Sequence, residues 1–112
     1  MKHLKYILFF LCSCWFLSCI QSELPNAEAD ILSCDVDPAI LRKDPIIQND
    51  RIQILVKPST DITKQAPVFI LTPGATIFPE SGTELNFGQP QIYTVTSEDR
   101  QYQKKYEVSY IV

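Results

Sequence analysis

From residue 30 onward, short stretches in which apolar and polar residues alternate recur along the chain. A period of two is typical of strands with one face buried, and Gly, Pro, Asn and Asp between the stretches mark turns. The apolar positions that share a face are Ile52, Ile54 and Val56 in one stretch, Tyr93 and Val95 in a second, and Tyr102, Tyr106, Val108 and Tyr110 in a third. We predict that these side chains form much of the core.

About seven such strands are predicted, and no amphipathic helix of useful length appears between residues 20 and 112. Many short strands separated by turns are typical of an all-β fold, and a chain of this size has room for one core between two layers. We therefore predict an immunoglobulin-like antiparallel β-sandwich. The Cys…Trp…Cys core of antibody domains is absent, so the prediction concerns architecture and not ancestry.

Two stretches give more specific expectations. Residues 67–72 are apolar on both faces, which predicts a central strand that is covered on both sides. In residues 31–36, the side chains of Leu32, Cys34 and Val36 alternate with polar ones, so Cys34 is expected to be a small, unreactive core residue.

The first part of the sequence has the pattern of an export signal. Basic residues in positions 1–5 precede an apolar run over residues 6–17, which is shorter than the roughly 20 residues that a transmembrane helix needs. Residues 16–19, Phe-Leu-Ser-Cys, resemble the lipobox of bacterial lipoproteins, with Phe16 in the place of the usual Leu. This resemblance implies that Cys19 carries lipid and begins the mature protein.

Two other processing routes remain open. Residues 11–14 offer a second lipobox with Cys14 as its last residue, and ordinary secretion would remove Cys19. Cys19 is favoured because the residues after it are polar and acidic, as in lipoproteins exported to the surface of Bacteroidetes. We therefore expect a signal peptide at 1–18, a tether at 19–29 and the β-sandwich domain at 30–112. The expected location is the outer membrane, lipid-anchored and facing outward.

Charge and cysteine content exclude several classes of function. The formal net charge of −3 becomes −5 once Lys2 and Lys5 leave with the signal. An acidic domain without a basic stripe is a poor ligand for nucleic acid. Its single His, at position 3, also leaves, and Cys34 is then the one free thiol, so neither a zinc site nor a Cys–His nucleophile is expected. We expect no catalytic residues, no metal and no cofactor.

Acidic and aromatic side chains are the remaining candidates for a binding site. Oxygen ligands for Ca²⁺ could come from acids in the loops, although such residues are more often turn formers. Aromatic faces could stack on sugars, but their spacing favours the core and no Trp remains after cleavage. The acids are Asp35, Asp37, Glu98 and Asp99, and the aromatic residues are Phe78, Phe87, Tyr93, Tyr102, Tyr106 and Tyr110.

From residue 29 to the last residue, the chain resembles the N-terminal immunoglobulin-like domain of Bacteroides lipoproteins that carry a domain named "Putative Carbohydrate Metabolism Domain" (PCMD). The residues that carry the resemblance are Asp30–Cys34, Asp61–Thr63, Ala66–Pro67, Phe69, Leu71–Ile77, Pro79, Ser81–Gly82, Asn86–Phe87, Pro90 and Tyr93–Asp99. The last piece, with Lys105–Val108, also resembles the terminal hairpin of many bacterial surface β-sandwich modules. The final hairpin of related surface modules usually turns at Asp-Gly, whereas Arg100 follows Asp99 here. Because Arg tolerates positive φ poorly, we predict a longer connection.

The resemblance implies a non-catalytic module of an outer-membrane surface lipoprotein, acting as a spacer or assembly domain for carbohydrate-related machinery. In that family a carbohydrate-type domain follows, so the chain is expected to be a fragment, a shortened product or a stand-alone version. The expected partners are the membrane, through lipid on Cys19, and glycans or glycan-utilisation proteins, with no nucleic acid. The alternative is a carbohydrate-binding module that uses exposed tyrosines.

Overall fold

The computed structural model describes residues 24–112, so Cys19 and the predicted signal peptide lie outside the described residues. Seven strands form two sheets that pack face to face. A two-stranded sheet has the order β1–β4, and a five-stranded sheet has the order β2–β3–β7–β6–β5. The strands are β1 (Ile31–Asp35), β2 (Ile46–Gln48), β3 (Arg51–Leu55), β4 (Val68–Leu71), β5 (Thr76–Phe78), β6 (Gln91–Thr96) and β7 (Gln103–Ile111).

The predicted all-β fold with about seven strands is confirmed, with one correction to the pairing. β3 runs parallel to β7, from the pair Arg51–Glu107 to the pair Leu55–Ile111. The other pairings are antiparallel. No hairpin joins β3 to β7, since about half of the domain lies between them in sequence, so chain connectivity does not dictate an antiparallel arrangement.

The inner face of the five-stranded sheet supplies most of the core. The residues predicted from the period of two are buried: Ile52, Ile54, Val56, Tyr93, Val95, Tyr106, Val108 and Tyr110. Tyr102 is the exception, because β7 begins at Gln103 and Tyr102 is 60% exposed in the connection before it. Lys104 shares the inner face, where its Nζ lies 4.8 Å from the centroid of the Tyr106 ring. A cation above an aromatic face is a favourable contact.

The prediction of a central strand at residues 67–72 is wrong. β4 belongs to the two-stranded sheet and turns Phe69 and the partly buried Leu71 toward the core, while Val68 and Ile70 are 45% and 56% exposed. A strand that is apolar on both faces looks the same in sequence whether its second face is covered or open. Whether the second face is covered depends on the layers that pack around the strand, and no layer of residues 24–112 covers the outer face of β4.

The predicted facing of β1 is wrong at one residue. Its register with β4 shifts between Ile31 and Ser33, so that Ile31 is buried while Leu32 is 57% exposed. A bulge adds one residue to a strand and reverses the facing on one side of it. Cys34 packs against the core but is only partly buried, and its low reactivity stays a prediction. Desolvation, with a smaller contribution from Asp35, raises the pKa of the thiol to about 12.

The connection between β6 and β7 is the longer loop that was predicted. It spans residues 97–102, and side-chain hydrogen bonds stabilise it: Ser97 Oγ donates to Asp99 Oδ1 at 2.6 Å, and the Gln101 N–H donates to the same oxygen at 2.9 Å. Arg100 nevertheless has a φ of 62°, in the left-handed region that Gly would adopt more easily.

Substitutions of Tyr106 should separate its packing from its hydrogen bond. The ring is 2% exposed, and the N–H of Ile31 donates to its hydroxyl at 3.1 Å. Tyr106→Ala should lower the free energy of unfolding by about 3 kcal/mol or more, whereas Tyr106→Phe should lower it by about 1 kcal/mol. Chemical denaturation measures both values. An unchanged midpoint for Tyr106→Ala would mean that the ring is exposed.

The domain should also lose stability at alkaline pH. Burial raises the pKa of both the Cys34 thiol and the Tyr93 hydroxyl to about 12, and it raises the pKa of Tyr110 as well. In the unfolded chain these groups ionise near their ordinary values of 9 to 10, so the stability is present below about pH 9 and is lost as the pH rises toward 12.

Denaturation midpoints measured between pH 7 and pH 11 test this prediction. Tyr93→Phe should reduce the alkaline loss, and it should cost little at pH 7, because the Tyr93 hydroxyl has no hydrogen-bond partner among residues 24–112. Tyr102→Phe, at an exposed tyrosine, is the matched control. A midpoint that stays constant up to pH 11 would contradict the assignment.

Candidate functional site

Residues near the start of the described chain are fixed to one end of the sandwich. The backbone N–H of Asn26 donates to Glu98 Oε1 at 2.7 Å, and its side-chain Nδ2 donates to the carbonyl of Pro73 at 3.1 Å. The Asp99 N–H donates to the Asn26 carbonyl at 3.1 Å. We call this set, Asn26 with Pro73, Glu98 and Asp99, the N-terminal latch. It joins the chain start to the β4–β5 turn and the β6–β7 loop.

The residues that follow the latch are also packed on the domain. Thr72 Oγ1 donates to the Glu28 carbonyl at 2.9 Å and accepts from the Asp30 N–H at 3.2 Å. Lys104 Nζ lies 3.3 Å from Asp30 Oδ1, and Ala29 is buried. The stretch predicted to be a tether therefore ends in residues that contact the fold, while the domain boundary itself stays a prediction.

Gly74 makes room for the latch. Its φ of +78° lies in the left-handed region, and a Cβ placed on it would lie 2.5 Å from Oε2 of Glu98. Any other residue would displace the carboxylate that accepts from Asn26. The Pro73-Gly74 pair was predicted only as a turn, and its contact with the chain start gives it a second role.

The latch and the end of β7 lie at opposite ends of the domain. β7 starts beside the loop that holds Asn26 and runs away from it for nine residues to Ile111, whose carbonyl accepts from the Val56 N–H at 2.9 Å. At about 3.3 Å per residue, a strand of this length spans roughly 27 Å. A segment joined before Asn26 and another joined after Ile111 would be held apart by this distance.

Three of the four acidic side chains considered for Ca²⁺, those of Asp37, Glu98 and Asp99, accept hydrogen bonds from the protein. Asp37 Oδ1 accepts from the Ala39 N–H at 3.0 Å, and Glu98 is part of the latch. The hydroxyl of Ser97, followed by the N–H of Gln101, lowers the pKa of Asp99. Among residues 24–112, no group of three or more His, Cys, Asp and Glu is placed to hold a metal ion. That part of the chain also contains no helix long and apolar enough to span a membrane.

Of the six aromatic candidates, two are exposed. Phe78 is 76% and Tyr102 is 60% exposed, whereas Phe87, Tyr93, Tyr106 and Tyr110 are buried. Phe78 pairs with Thr94 on the outer face of the five-stranded sheet, which also carries Ile92 at 52% exposure. Tyr102 is not in a strand of this sheet, because it lies in the β6–β7 connection. The sequence pattern could not separate Phe78 from Phe87, since both stand in short strand-like pieces between turns.

A polar cleft of about 420 Å³ lies beside the loop that precedes β6. Three amide side chains line it, which is chemistry suited to sugars, but two are engaged within the loop. Asn86 Oδ1 accepts from the Gly88 N–H at 2.8 Å, and Gln91 Nε2 donates to the Asn86 carbonyl at 2.7 Å. Gln89 is the third amide. The cleft therefore lacks the apolar and aromatic lining, with a few convergent polar groups, that is typical of a binding pocket.

Comparisons with known proteins add family context. A family model described as "SGBP, N-terminal" matches residues 31–109. A crystal structure from Bacteroides thetaiotaomicron VPI-5482, described as a "putative glycoside hydrolase", is 55% identical with a TM-score of 0.72. The match covers 81% of this chain and 27% of that chain, so the present chain spans about a quarter of that relative's length.

A second structure, of a "putative secreted protein" from Bacteroides fragilis NCTC 9343, has a TM-score of 0.51 at 12% identity. It covers 76% of this chain and 95% of that one, and it supports the fold alone. No curated protein matches this chain.

Proposed function

Since this chain belongs to the family of SGBP N-terminal domains, we propose that it is a non-catalytic module of a glycan-related surface protein, where it acts as a spacer or assembly domain. The placement of its two ends is the observation that carries this proposal. The latch holds Asn26 at one end of the sandwich, and β7 carries the chain to Ile111 at the other. A spacer needs a stable body and two well-separated ends, and this domain has both.

The Bacteroides thetaiotaomicron relative supports a role within a larger protein. Its sequence is 55% identical over a match that takes up 27% of its length, so most of that protein lies outside the matched part. We propose that any reaction on carbohydrate belongs to a partner or to another domain. Glycoside hydrolysis needs two carboxyl groups that face each other across the sugar. The contacts of Asp37, Glu98 and Asp99 are instead within turns and the latch.

The location is the second part of the proposal. We propose that residues 1–18 are a signal peptide and that lipid on Cys19 anchors the protein in the outer membrane, facing outward. The order of basic, apolar and small residues before Cys19 supports this assignment.

A carbohydrate-binding module is the second candidate function, and the exposure of Phe78 is the observation that favours it. The ring is 76% exposed on the outer face of a sheet, where a flat aromatic side chain has no structural need to be. The predicted use of exposed tyrosines is reduced to Tyr102, because Tyr93, Tyr106 and Tyr110 are buried. Sugar contact would therefore depend mainly on Phe78.

Calorimetric titration of the protein against host and dietary glycan fragments decides between the two candidates. The spacer proposal expects no saturable binding tighter than about 1 mM, which corresponds to about −4 kcal/mol. Saturable binding that Phe78→Ala abolishes and Tyr102→Ala leaves unchanged would make the chain a binding module. Neither substitution should alter the unfolding midpoint by much, because both side chains are exposed.

Replacement of Cys19 tests the anchor. Cys19→Ala should release the protein from the membrane fraction into the soluble fraction and abolish incorporation of labelled palmitate, because the thiol is the proposed site of acylation. Cys14→Ala is the matched control and should leave both properties unchanged. If membrane partitioning and label persisted in Cys19→Ala, the lipid would be attached elsewhere.

A further inference from the structure

β1 has an open edge. It pairs with β4 on one side, and no strand of residues 24–112 pairs with it on the other. The N–H of Phe69 donates to Ser81 Oγ at 2.8 Å and so points away from β1. Because Phe69 is opposite Cys34, this pair is the non-hydrogen-bonded one of the antiparallel ladder. The N–H and C=O of Cys34 therefore also point away from β4, toward the open edge.

The other edges of the two sheets are better protected. On the far side of β4, Ser81 Oγ accepts from the Phe69 N–H, and the Gly82 N–H donates to the Pro67 carbonyl at 3.0 Å. β2 and β5, the edge strands of the larger sheet, have three residues each, and a Pro stands directly before β2 and directly after β5. Natural proteins blunt sheet edges with short strands, Pro and covering loops. β1 has five residues and no Pro or Lys, and its bulge lies at its first residues.

A groove of about 380 Å³ runs along this open edge. The residues of β1 from Leu32 onward form one wall, and Leu41, Pro45 and Ile47 form much of the other. An added strand would place alternate side chains in this groove. Its remaining side chains would extend the outer face of the small sheet, where Leu32 and Ile70 are more than half exposed.

The charges around the groove indicate the kind of strand that fits. Asp35 and Asp44 line it, and none of its lining residues is basic. A second copy of this chain would bring another set of the same acids and a net charge of −3, or −5 once Lys2 and Lys5 are removed with the signal. A strand with Lys or Arg beside its apolar residues would complement the groove in charge.

We propose that the edge of β1 is a strand-addition site for an extended segment of another protein, with apolar residues at alternate positions and a basic residue beside Asp35 or Asp44. Backbone hydrogen bonds to Cys34 would supply affinity, and the groove would supply selectivity. This inference rests on the assembly part of the proposed function. Its experiment measures peptide binding and not glycan binding, so the two proposals can fail separately.

The test is selection of displayed random twelve-residue peptides on the purified protein, followed by NMR with the best synthetic peptide. Enriched peptides should alternate apolar residues and contain Lys or Arg. Binding should shift the amide signals of Ser33 to Val36 and slow hydrogen exchange at Cys34. Asp44→Lys should weaken binding about fivefold, which is the size of one exposed charge pair of about 1 kcal/mol. Methylation of alternate peptide amides should abolish it.

Glu80→Lys is the matched control, because Glu80 is an exposed acid in the turn on the far side of the same sheet, and it should leave affinity unchanged. The proposal is overturned if no peptide is enriched, if the enriched peptides lack basic residues, or if the shifted signals lie away from β1. It is also overturned if sedimentation shows a dimer of the chain that occupies this edge.

Discussion

Contact between the aromatic residues of the two sheets is the interaction on which the rest of the structure depends. The rings of Phe69 and Tyr93 meet edge to face with centroids 4.8 Å apart, which joins β4 to β6. The Tyr106 hydroxyl accepts from the Ile31 N–H, which joins β7 to β1. Large aromatic side chains bury much apolar area, and Tyr adds a directed hydrogen bond at its far end. Two small strands can therefore be held on a five-stranded sheet without a disulfide among residues 24–112.

This arrangement leaves the small sheet half covered, and it leaves open the edge at which we propose that a partner strand binds. With only β1 and β4 in the layer, the outer face retains exposed Leu32, Val68 and Ile70, and one edge of β1 stays open. The larger sheet differs in its edges, because its long strands β6 and β7 each have a neighbouring strand on both sides. The layer whose long strands are paired on both sides and the layer with the proposed binding edge are thus separate sheets of one fold.

The sequence predicted the larger sheet better than the smaller one, for physical reasons. In β3, β6 and β7 the apolar and polar positions alternate clearly, so that period two is sufficient to assign the inner face. β4 is apolar on both faces, and β1 contains a bulge that shifts its facing at Leu32. The latch was beyond prediction because Asn26 and Glu98 are 72 residues apart, and no local pattern encodes a hydrogen bond at that separation. Only the tertiary arrangement of the β6–β7 loop brings them together.

The latch also limits how far the domain can move if lipid is attached at Cys19. Seven peptide units separate residues 19 and 26, so the two are at most about 25 Å apart whatever the conformation between them. Without the latch, the first residue fixed to the domain would be Glu28, whose carbonyl accepts from Thr72 Oγ1, and the tether would be two residues longer. Ile111 lies roughly 27 Å from the latch along β7. The hydrogen bonds of one asparagine would therefore shorten the tether by about 7 Å at one end of the sandwich, while Ile111 lies at the other end.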